Sequence, residues 1–465
     1  MKDVYFSPDR DYVAAFFRKP LDSSARDRLE NITGVYRETI FGQPGGEYWK
    51  KLFCWPERLV EWDGRPGLVC PVYDPDFFFD SGRFRGREKE GKWFASARLR
   101  NKHLEADQKG DWLKYLQVCL NLARATRRLH AAGLAHSDLS YKNVLIDPKK
   151  GRACIIDIDG LVVPGKYPPD VVGTPDFIAP EVIATARLPL GDPGKKLPSI
   201  ATDRHALAVL IYMYLLYRHP LRGPLVHDLD PAIDEELSMG SRALFIENGR
   251  DRRNRPKAEQ LEAEDRPQAD VDQLPYTLCG PYLSELFERA FIEGLHSPAS
   301  RPAAADWETA LVKTIDLIQP CQNPACAEKW FVFDNKLKPK CPFCGTPYTR
   351  QLPVLNLYWS PTAGKFKPEN HRLMVYDKQS LYMWHVSRMI SPNEKTGPEH
   401  RKPAGDFHFH NGRWILINRS LPQMYDKSED KKIEPGEAVS LEDGKKILLS
   451  AENGGRLLVV QLVNG

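Results

Sequence analysis

The stretch His136-Ser137-Asp138-Leu139-Ser140-Tyr141-Lys142-Asn143 runs directly into the apolar segment Val144-Leu145-Ile146. A second apolar segment, Cys154-Ile155-Ile156, ends in Asp157-Ile158-Asp159-Gly160, and Pro148-Lys149-Lys150-Gly151 between them is a turn by composition. The pattern is a polar loop, a short strand, a tight turn and a second strand ending in acids. Such a hairpin places Asp138, Asn143 and Asp157 at one end of a sheet. Phosphoryl transfer needs a set of this kind: a carboxylate to accept a hydroxyl proton, plus an amide and a second carboxylate to hold magnesium.

The stretch resembles the catalytic and metal-binding loops of protein kinases, H-R-D-L-x-x-x-N followed by D-F-G. The resemblance implies that Asp138 is the catalytic base and that Asn143 and Asp157 hold magnesium, or manganese in its place. Ser137 replaces the arginine of the first triplet, so the usual contact to a phosphorylated activation loop is unavailable. Ser140 stands where kinases usually carry a phosphate-neutralising lysine. The second triplet reads Asp157-Ile158-Asp159, with its glycine displaced to Gly160. Asp157 and Asp159 share a face of an extended chain, so either can reach the metal. Asp157 is preferred because it directly follows the apolar strand.

At 465 residues the chain exceeds what one hydrophobic core usually supports, and two or three domains are expected. A net charge of +4 on this length argues for neither nucleic acid nor an anionic membrane as partner. No apolar run approaches bilayer-spanning length, and Met1-Lys2-Asp3-Val4 lacks the features of a signal peptide. Of nine cysteines, five are scattered in apolar contexts, which suits a reducing compartment. The expectation is a soluble cytoplasmic protein.

Val4-Tyr5-Phe6 and Tyr12 to Phe17 read as a β-hairpin across Ser7-Pro8-Asp9-Arg10-Asp11. In a kinase this belongs to the small lobe, with a glycine-rich phosphate loop at or before it, yet no glycine occurs before Gly34. The nucleotide cover is then missing or built from non-glycine backbone. Val13-Ala14 matches the V-A of V-A-I-K without a lysine in register; Arg18 is the expected substitute, with Lys19 as the alternative. Ser23 to Ile32 reads as the helix supplying an acidic partner, Glu30 or else Glu38. Gly42 to Gly46 is a plain turn. Leu59 to Trp62 and Gly67 to Tyr73 read as strands that form the back wall and hinge of an adenine pocket through Val69, Cys70 and Val72, with Val13 on the facing hairpin. Ser81 to Lys102 reads as a solvated, flexible segment rather than a nucleic-acid surface. Trp112 to His130 is a strongly amphipathic helix closed by Gly133.

Gly173-Thr174-Pro175-Asp176-Phe177-Ile178-Ala179-Pro180-Glu181 resembles the G-T-x-x-Y-x-A-P-E end of a kinase activation segment. That favours a polypeptide substrate over a small hydroxyl compound and places Thr174 beside Asp138. Thr202 to Tyr212 resembles the central helix whose aspartate, here Asp203, holds the catalytic-loop backbone; His205 on it reads as a core histidine. Arg301 is expected to pair with Glu181, and Leu225 to Gln273 reads as an insertion or mobile loop.

Cys321-x4-Cys326 and Cys341-x2-Cys344 form two knuckles around a β-like stretch, Lys329 to Phe333. Four thiolates at this spacing make a closed tetrahedral zinc site, structural because no position is left for water. From Pro353 onward, short β-rich runs between turn signals argue an all-β sandwich. Ile433-x-Pro-Gly436 to Ile447 resembles forkhead-associated domains. Their ligand loops would fall near Ser387, Arg388, Asn418 and Ser420, but the N-G-T element is missing, which leaves phosphothreonine reading or plain docking.

The expected fold is α+β. A bilobal protein-kinase-like domain spans 1–319 (small lobe about 1–73, large lobe about 74–319), followed by a zinc ribbon at 320–350 and a β-sandwich at 351–465. The combination resembles an atypical bacterial serine/threonine kinase group. That is the kinase of the tellurite-resistance-associated triad with a von Willebrand-type protein and a PP2C-type phosphatase, related to bacterial helix-hairpin-helix kinases. It implies ATP, magnesium, hydroxyl phosphorylation of a partner such as the von Willebrand-type protein, and reversal by the phosphatase. The second reading is a pseudokinase scaffold, or an adaptor working through the ribbon and sandwich.

Overall fold

A computed structural model of the chain describes residues 2–163, 166–167, 173–333, 339–362 and 364–463. The chain divides into two compact units, Met1–Leu311 and Val312–Gly465. The division therefore falls ahead of residue 319, before the cysteine knuckles. No helix among the described residues is long and apolar enough to cross a membrane.

The first unit opens on an antiparallel sheet of β1 (Lys2–Phe6), β2 (Tyr12–Phe17), β3 (Arg58–Trp62) and β4 (Arg65–Pro71), in the order β1-β2-β4-β3. Ser7 sets the first hairpin: its Oγ accepts from the Asp11 and Tyr12 amides at 3.0 and 3.2 Å. Between β2 and β3 lie α1 (Ser23–Asn31), α2 (Arg37–Phe41) and α3 (Gly46–Lys50). The cap of α1 is Asp22, not Ser23; its carboxylate accepts from the Ala25 amide at 2.7 Å. After β4, the arginine-rich stretch is packed rather than solvated. Phe84 lies 4.3 Å from the Trp93 ring, Phe79 and Phe94 are buried, and the stretch ends in α4 (Ala97–His103). Its aromatic rings outweigh its charges in deciding where it goes, because each buries far more apolar area than a solvated arginine needs to expose.

The helical part is built on α5 (Trp112–Ala131), capped by Asp111, whose carboxylate accepts from the Lys114 amide at 3.0 Å. Trp112 donates its indole N–H to the Leu215 carbonyl at 3.1 Å, tying α5 to α7 (Ile200–Leu216). Helix α7 has almost no polar face and is buried all round, as its composition requires. The catalytic-loop hairpin is β5 (Val144–Asp147) with β6 (Arg152–Ile155). The Cys54 amide donates to the Ile155 carbonyl and the Ile155 amide to the Leu52 carbonyl, linking that hairpin to the chain that enters β3. The unit continues through α6 (Pro180–Ala184), α8 (Pro231–Met239) and α9 (Pro281–Glu288) into α10 (Ala304–Ile315). In the expected insertion, Phe245 and Ile246 are buried, so that stretch is anchored.

The second unit begins with a small pair, β7 (Ile318–Pro320) and β8 (Trp330–Val332). Two sheets follow. One comprises β9 (Leu352–Thr362), β10 (Lys365–Met374), β14 (Tyr425–Asp426), β15 (Lys431–Lys432), β17 (Lys446–Leu448) and β18 (Arg456–Val463), in the order β10-β9-β18-β17-β14-β15. The other comprises β11 (Ser380–Tyr382), β12 (Pro403–His410), β13 (Arg413–Asn418) and β16 (Ala438–Ser440), in that order, with the short helix α11 (Met383–Val386) after β11. Leu355, Leu373 and Leu458 from one sheet and Phe407, Leu416 and Val439 from the other form a shared core.

Candidate active site

Strand pairing fixes which side chains face inward. Across the small sheet the register aligns Phe6 with Val13 and Cys70, Val4 with Ala15 and Leu68, and Lys2 with Phe17. Residues directly opposite share a face. Lys2, Val4, Phe6, Val13, Ala15, Leu68 and Cys70 all line one cavity of about 280 Å³. Val72, Tyr73 and Phe78 continue the apolar wall, while Asp157 and Asp159 close the charged end beside Lys2. The volume lies near the lower end of the ~300–1,000 Å³ range for small-molecule sites. Burial pushes the Cys70 thiol up to about 11, so the thiol stays uncharged at neutral pH.

The alternating columns point away from the cavity, and two expectations fail for that reason. Val69 stands opposite Ala14 and Arg58 and does not line the cavity. Arg18, one residue past β2, falls on the same outward alternation as Ala14; its Nε donates to Asp3 at 2.8 Å and its side chain is 53% exposed. Glu30 is solvent-exposed on α1, as is Glu38 on α2; what α1 buries is Arg28 and Leu29. Val13, Cys70 and Val72 line the cavity.

Lys2 is the residue that sequence reasoning missed. Its Nζ lies 2.6 Å from Asp159 and 3.7 Å from Asp157. Burial alone would lower the ammonium's pKa; Asp159 and then Asp157 reverse this and hold it raised. The hairpin register carries the missed signal: a turn that pairs Phe6 with Val13 necessarily pairs Lys2 with Phe17.

Asp203 organises the catalytic loop from below. Its two carboxylate oxygens accept the His136 amide at 2.7 Å and the Ser137 amide at 3.0 Å. His136 Nε2 meets the Ile156 carbonyl at 3.0 Å, joining the loop to the strand that delivers Asp157. Asn143 donates through Nδ2 to the Asp138 carbonyl and carboxylate at 2.8 and 3.0 Å. Thr174 donates its backbone N–H and its hydroxyl to the other Asp138 oxygen at 2.6 and 2.7 Å. Asp138 is thus held as an acceptor between two loops. Ser140 is wholly buried with its Oγ accepting the Lys142 amide at 3.3 Å, so it shapes the loop instead of facing phosphates. His205 is a core residue kept neutral by burial.

Asp157 sits in the left-handed region at φ 61°, costly for a residue other than glycine and held there by its surroundings. Its side chain is 57% exposed to the cleft, against 16% for Asp159. Burial and then the neighbouring Asp159 raise the Asp157 pKa, whereas Lys2 overrides burial and keeps Asp159 lowered. Of the proline- and glycine-rich stretch before Gly173, residues 164–165 and 168–172 lie outside those described.

In the second unit the four cysteine sulfurs lie within 4.8 Å of one another, with Cys321–Cys344 at 3.5 Å and Cys326–Cys341 at 3.9 Å. Asn418, expected near a phosphate, is buried: its amide nitrogen serves the Leu421 and Ile433 carbonyls and its oxygen accepts the Leu421 amide. It clamps a loop and has nothing left for a ligand. Ser387 accepts from the Met389 amide, and the Arg388 guanidinium lies over the Trp359 ring at 4.3 Å.

Residues 96–263 match the protein kinase domain family, and the first unit has a kinase-like fold. The chain is similar over 67 residues, at 42% identity, to the dual serine/threonine and tyrosine protein kinase of Gallus gallus, and over 73 residues, at 36%, to that of Apis mellifera. These stretches cover 14% and 16% of this chain, and the chain spans only 7% of the length of either relative. Among solved structures, the Toxoplasma gondii specific rhoptry antigen kinase domain aligns with a TM-score of 0.38 at 14% identity, covering 67% of this chain and 78% of that one.

Proposed function

We propose that this chain is an ATP- and magnesium-dependent protein kinase that phosphorylates serine and threonine hydroxyls on a partner protein. The observation that carries the reading is Asp138, bonded to Asn143 and Thr174, beside the strand end that delivers Asp157 to the cavity. The donor set suits magnesium. Asn143 uses its amide nitrogen on Asp138, which leaves the amide oxygen for a cation. Asp157 carries a carboxylate whose charge is disfavoured by Asp159, a strain that a divalent cation relieves. Bound magnesium would neutralise the charge spread over the phosphate oxygens.

Asp138 orients the incoming hydroxyl and takes its proton. As this happens the new bond to the γ-phosphorus forms and the bond from that phosphorus to the bridging oxygen breaks, releasing ADP. Asp203 and Thr174 keep Asp138 aimed; Asn143 and Asp157 would hold the metal. Val4, Val13, Ala15, Leu68 and Cys70 give the adenine base an apolar slot. Positioning and charge neutralisation supply the rate.

The sequence resemblance supports a von Willebrand-type protein as the substrate and a PP2C-type phosphatase as the opposing enzyme. Cys321, Cys326, Cys341 and Cys344 would hold one structural zinc ion. Transfer from labelled ATP with magnesium to a serine/threonine peptide pool, a tyrosine pool and the von Willebrand-type protein tests the proposal. Loss of transfer in both Asp138→Ala and Asp157→Ala is expected. A wild-type chain that binds no magnesium nucleotide would instead be a scaffold.

A further inference from the structure

Resting on that reading, we infer that Lys2 is the cation that grips the nucleotide's phosphates, and that Asp159, rather than an acid on α1, is the partner that positions it. Kinase sites take this cation from a strand lysine and hold it with a helix glutamate. Here both parts come from elsewhere. The alternation of β2 turns Val13 and Ala15 to the cavity and brings Phe17 next on that face. Phe17 cannot bind phosphate, but Lys2 stands directly opposite it, and its ammonium lies 5.3 Å from the Phe17 ring centre. An ammonium on the facing strand thus enters the same space that a lysine at position 17 would fill.

The cavity has a direction. Val72, Tyr73 and Phe78 close one end, where Glu88, bridged to Phe78, adds an acid that repels phosphate, whereas Lys2, Asp157 and Asp159 make the other. A nucleotide fits this polarity in one sense, with its base at the apolar end and its phosphates at the charged end. Among the described residues Lys2 is the only lysine or arginine lining the cavity. With Asp157 the more open of the two acids, Asp159 is free to serve the lysine, at 2.6 Å. Helix α1 offers no acid at that point. It buries Arg28, which feels the charge of Asp159, so the second acid of Asp157-Ile158-Asp159 acts on a second cation besides Lys2. This accounts for an aspartate where the usual triplet has glycine: the acid moved when the lysine did.

The test uses the full chain, with steady-state transfer from Mg-ATP, binding of a fluorescent ATP analogue and the thermal midpoint read for each variant. Lys2→Met is expected to lower kcat by roughly 10²–10³, the usual loss when one preorganised charge donor is removed. Phe17→Lys in the Lys2→Met background returns an ammonium to the same face from the other strand. It is expected to restore at least about tenfold of the loss, a recovery that a purely structural role for Lys2 does not give. Asp159→Asn is expected to lower kcat with little change in analogue affinity, and Asp159→Glu to recover part of it; Asp157→Asn should instead weaken magnesium-dependent binding. A Lys2→Met chain with wild-type kcat overturns the inference and leaves the kinase reading standing. So does a folded double variant that recovers nothing. A wild-type chain that neither binds the analogue with magnesium nor transfers phosphate removes the kinase reading itself.

Discussion

Arg301 and Glu181 form a two-pronged ion pair, with the two guanidinium nitrogens donating to the two carboxylate oxygens at 2.8 and 2.7 Å. Arg301 is 1% exposed and lies 120 residues from its partner. It also donates to the Gly294, Leu295 and Ala201 carbonyls, so the pair staples α6, the start of α7 and the segment before α10. Removing one partner of a buried pair costs ~3–5 kcal/mol. The carbonyls still satisfy part of the guanidinium, so Glu181→Ala is expected at the lower end, about 3 kcal/mol. Glu181→Gln should lose less, because the amide oxygen still accepts. Denaturant unfolding of the full chain checks both.

His219 gives the acid limb of stability. Its Nε2 meets the Asp176 carbonyl at 2.9 Å and its Nδ1 accepts the Leu221 amide at 3.1 Å, an arrangement that needs a neutral ring donating through Nε2. Burial lowers its pKa from 6.5 to about 4 despite the opposing charge of Asp176. Between those values the unfolded chain binds the proton and the folded chain does not, so stability falls as pH drops from 6.5 to 4 and is unaffected by this group above 7. The gap is worth about 3 kcal/mol at ~1.36 kcal/mol per pH unit. His219→Gln keeps a donor and an acceptor without the titration, and its thermal midpoint should depend less steeply on pH in that window than the wild type's.

Thr174 tests how tightly the proposed proton acceptor, Asp138, must be held. Its hydroxyl lies 2.7 Å from Asp138 Oδ1, in a bond that isosteric valine deletes while leaving the backbone N–H in place. A hydrogen bond to a charged group is worth ~1.5–3 kcal/mol, so Thr174→Val should lower kcat by roughly 10- to 100-fold. The KM for ATP should stay put, because the residue does not line the nucleotide cavity. Thr174→Ser should recover most of the loss in the same steady-state assay.

The catalytic loop was legible in the sequence because its parts are local. Asp138 and Asn143 are five residues apart, and the hairpin that carries Asp157 is set by a four-residue turn. Asp203 and Glu181 were readable through the flanking residues that resemble a kinase. The small-lobe strands were legible, but the cation and its acidic partner were not, because they depend on which face of a strand each residue occupies. Arg18 shares a face with Ala14, which made it the expected substitute, yet that face turns outward to Asp3. Lys2 lay far from the expected motif and reaches the site only through pairing between strands. The aromatic stretch near Phe84 was misread because charges were counted ahead of rings. Asn418 shows the reverse error: an amide in a ligand-like loop turns inward to satisfy buried carbonyls.

The cysteine knuckles make the last prediction. A tetrahedral zinc site with ~2.3 Å bonds puts its sulfurs about 3.8 Å apart, and the measured 3.5 and 3.9 Å bracket that edge. A disulfide would bring two sulfurs to ~2.05 Å, and all four cysteines are free thiols. Gly345, at φ 75°, lets one knuckle close, with its amide donating to the Cys341 carbonyl at 2.9 Å. A segment this short cannot bury a core of its own, so metal binding would supply much of its folding energy. The sandwich has a separate core of its own. One zinc per chain is therefore expected by elemental analysis, and Cys341→Ser should abolish it. Chelation should expose residues 320–350 to proteolysis and hydrogen exchange while strands β9 and β18 remain protected.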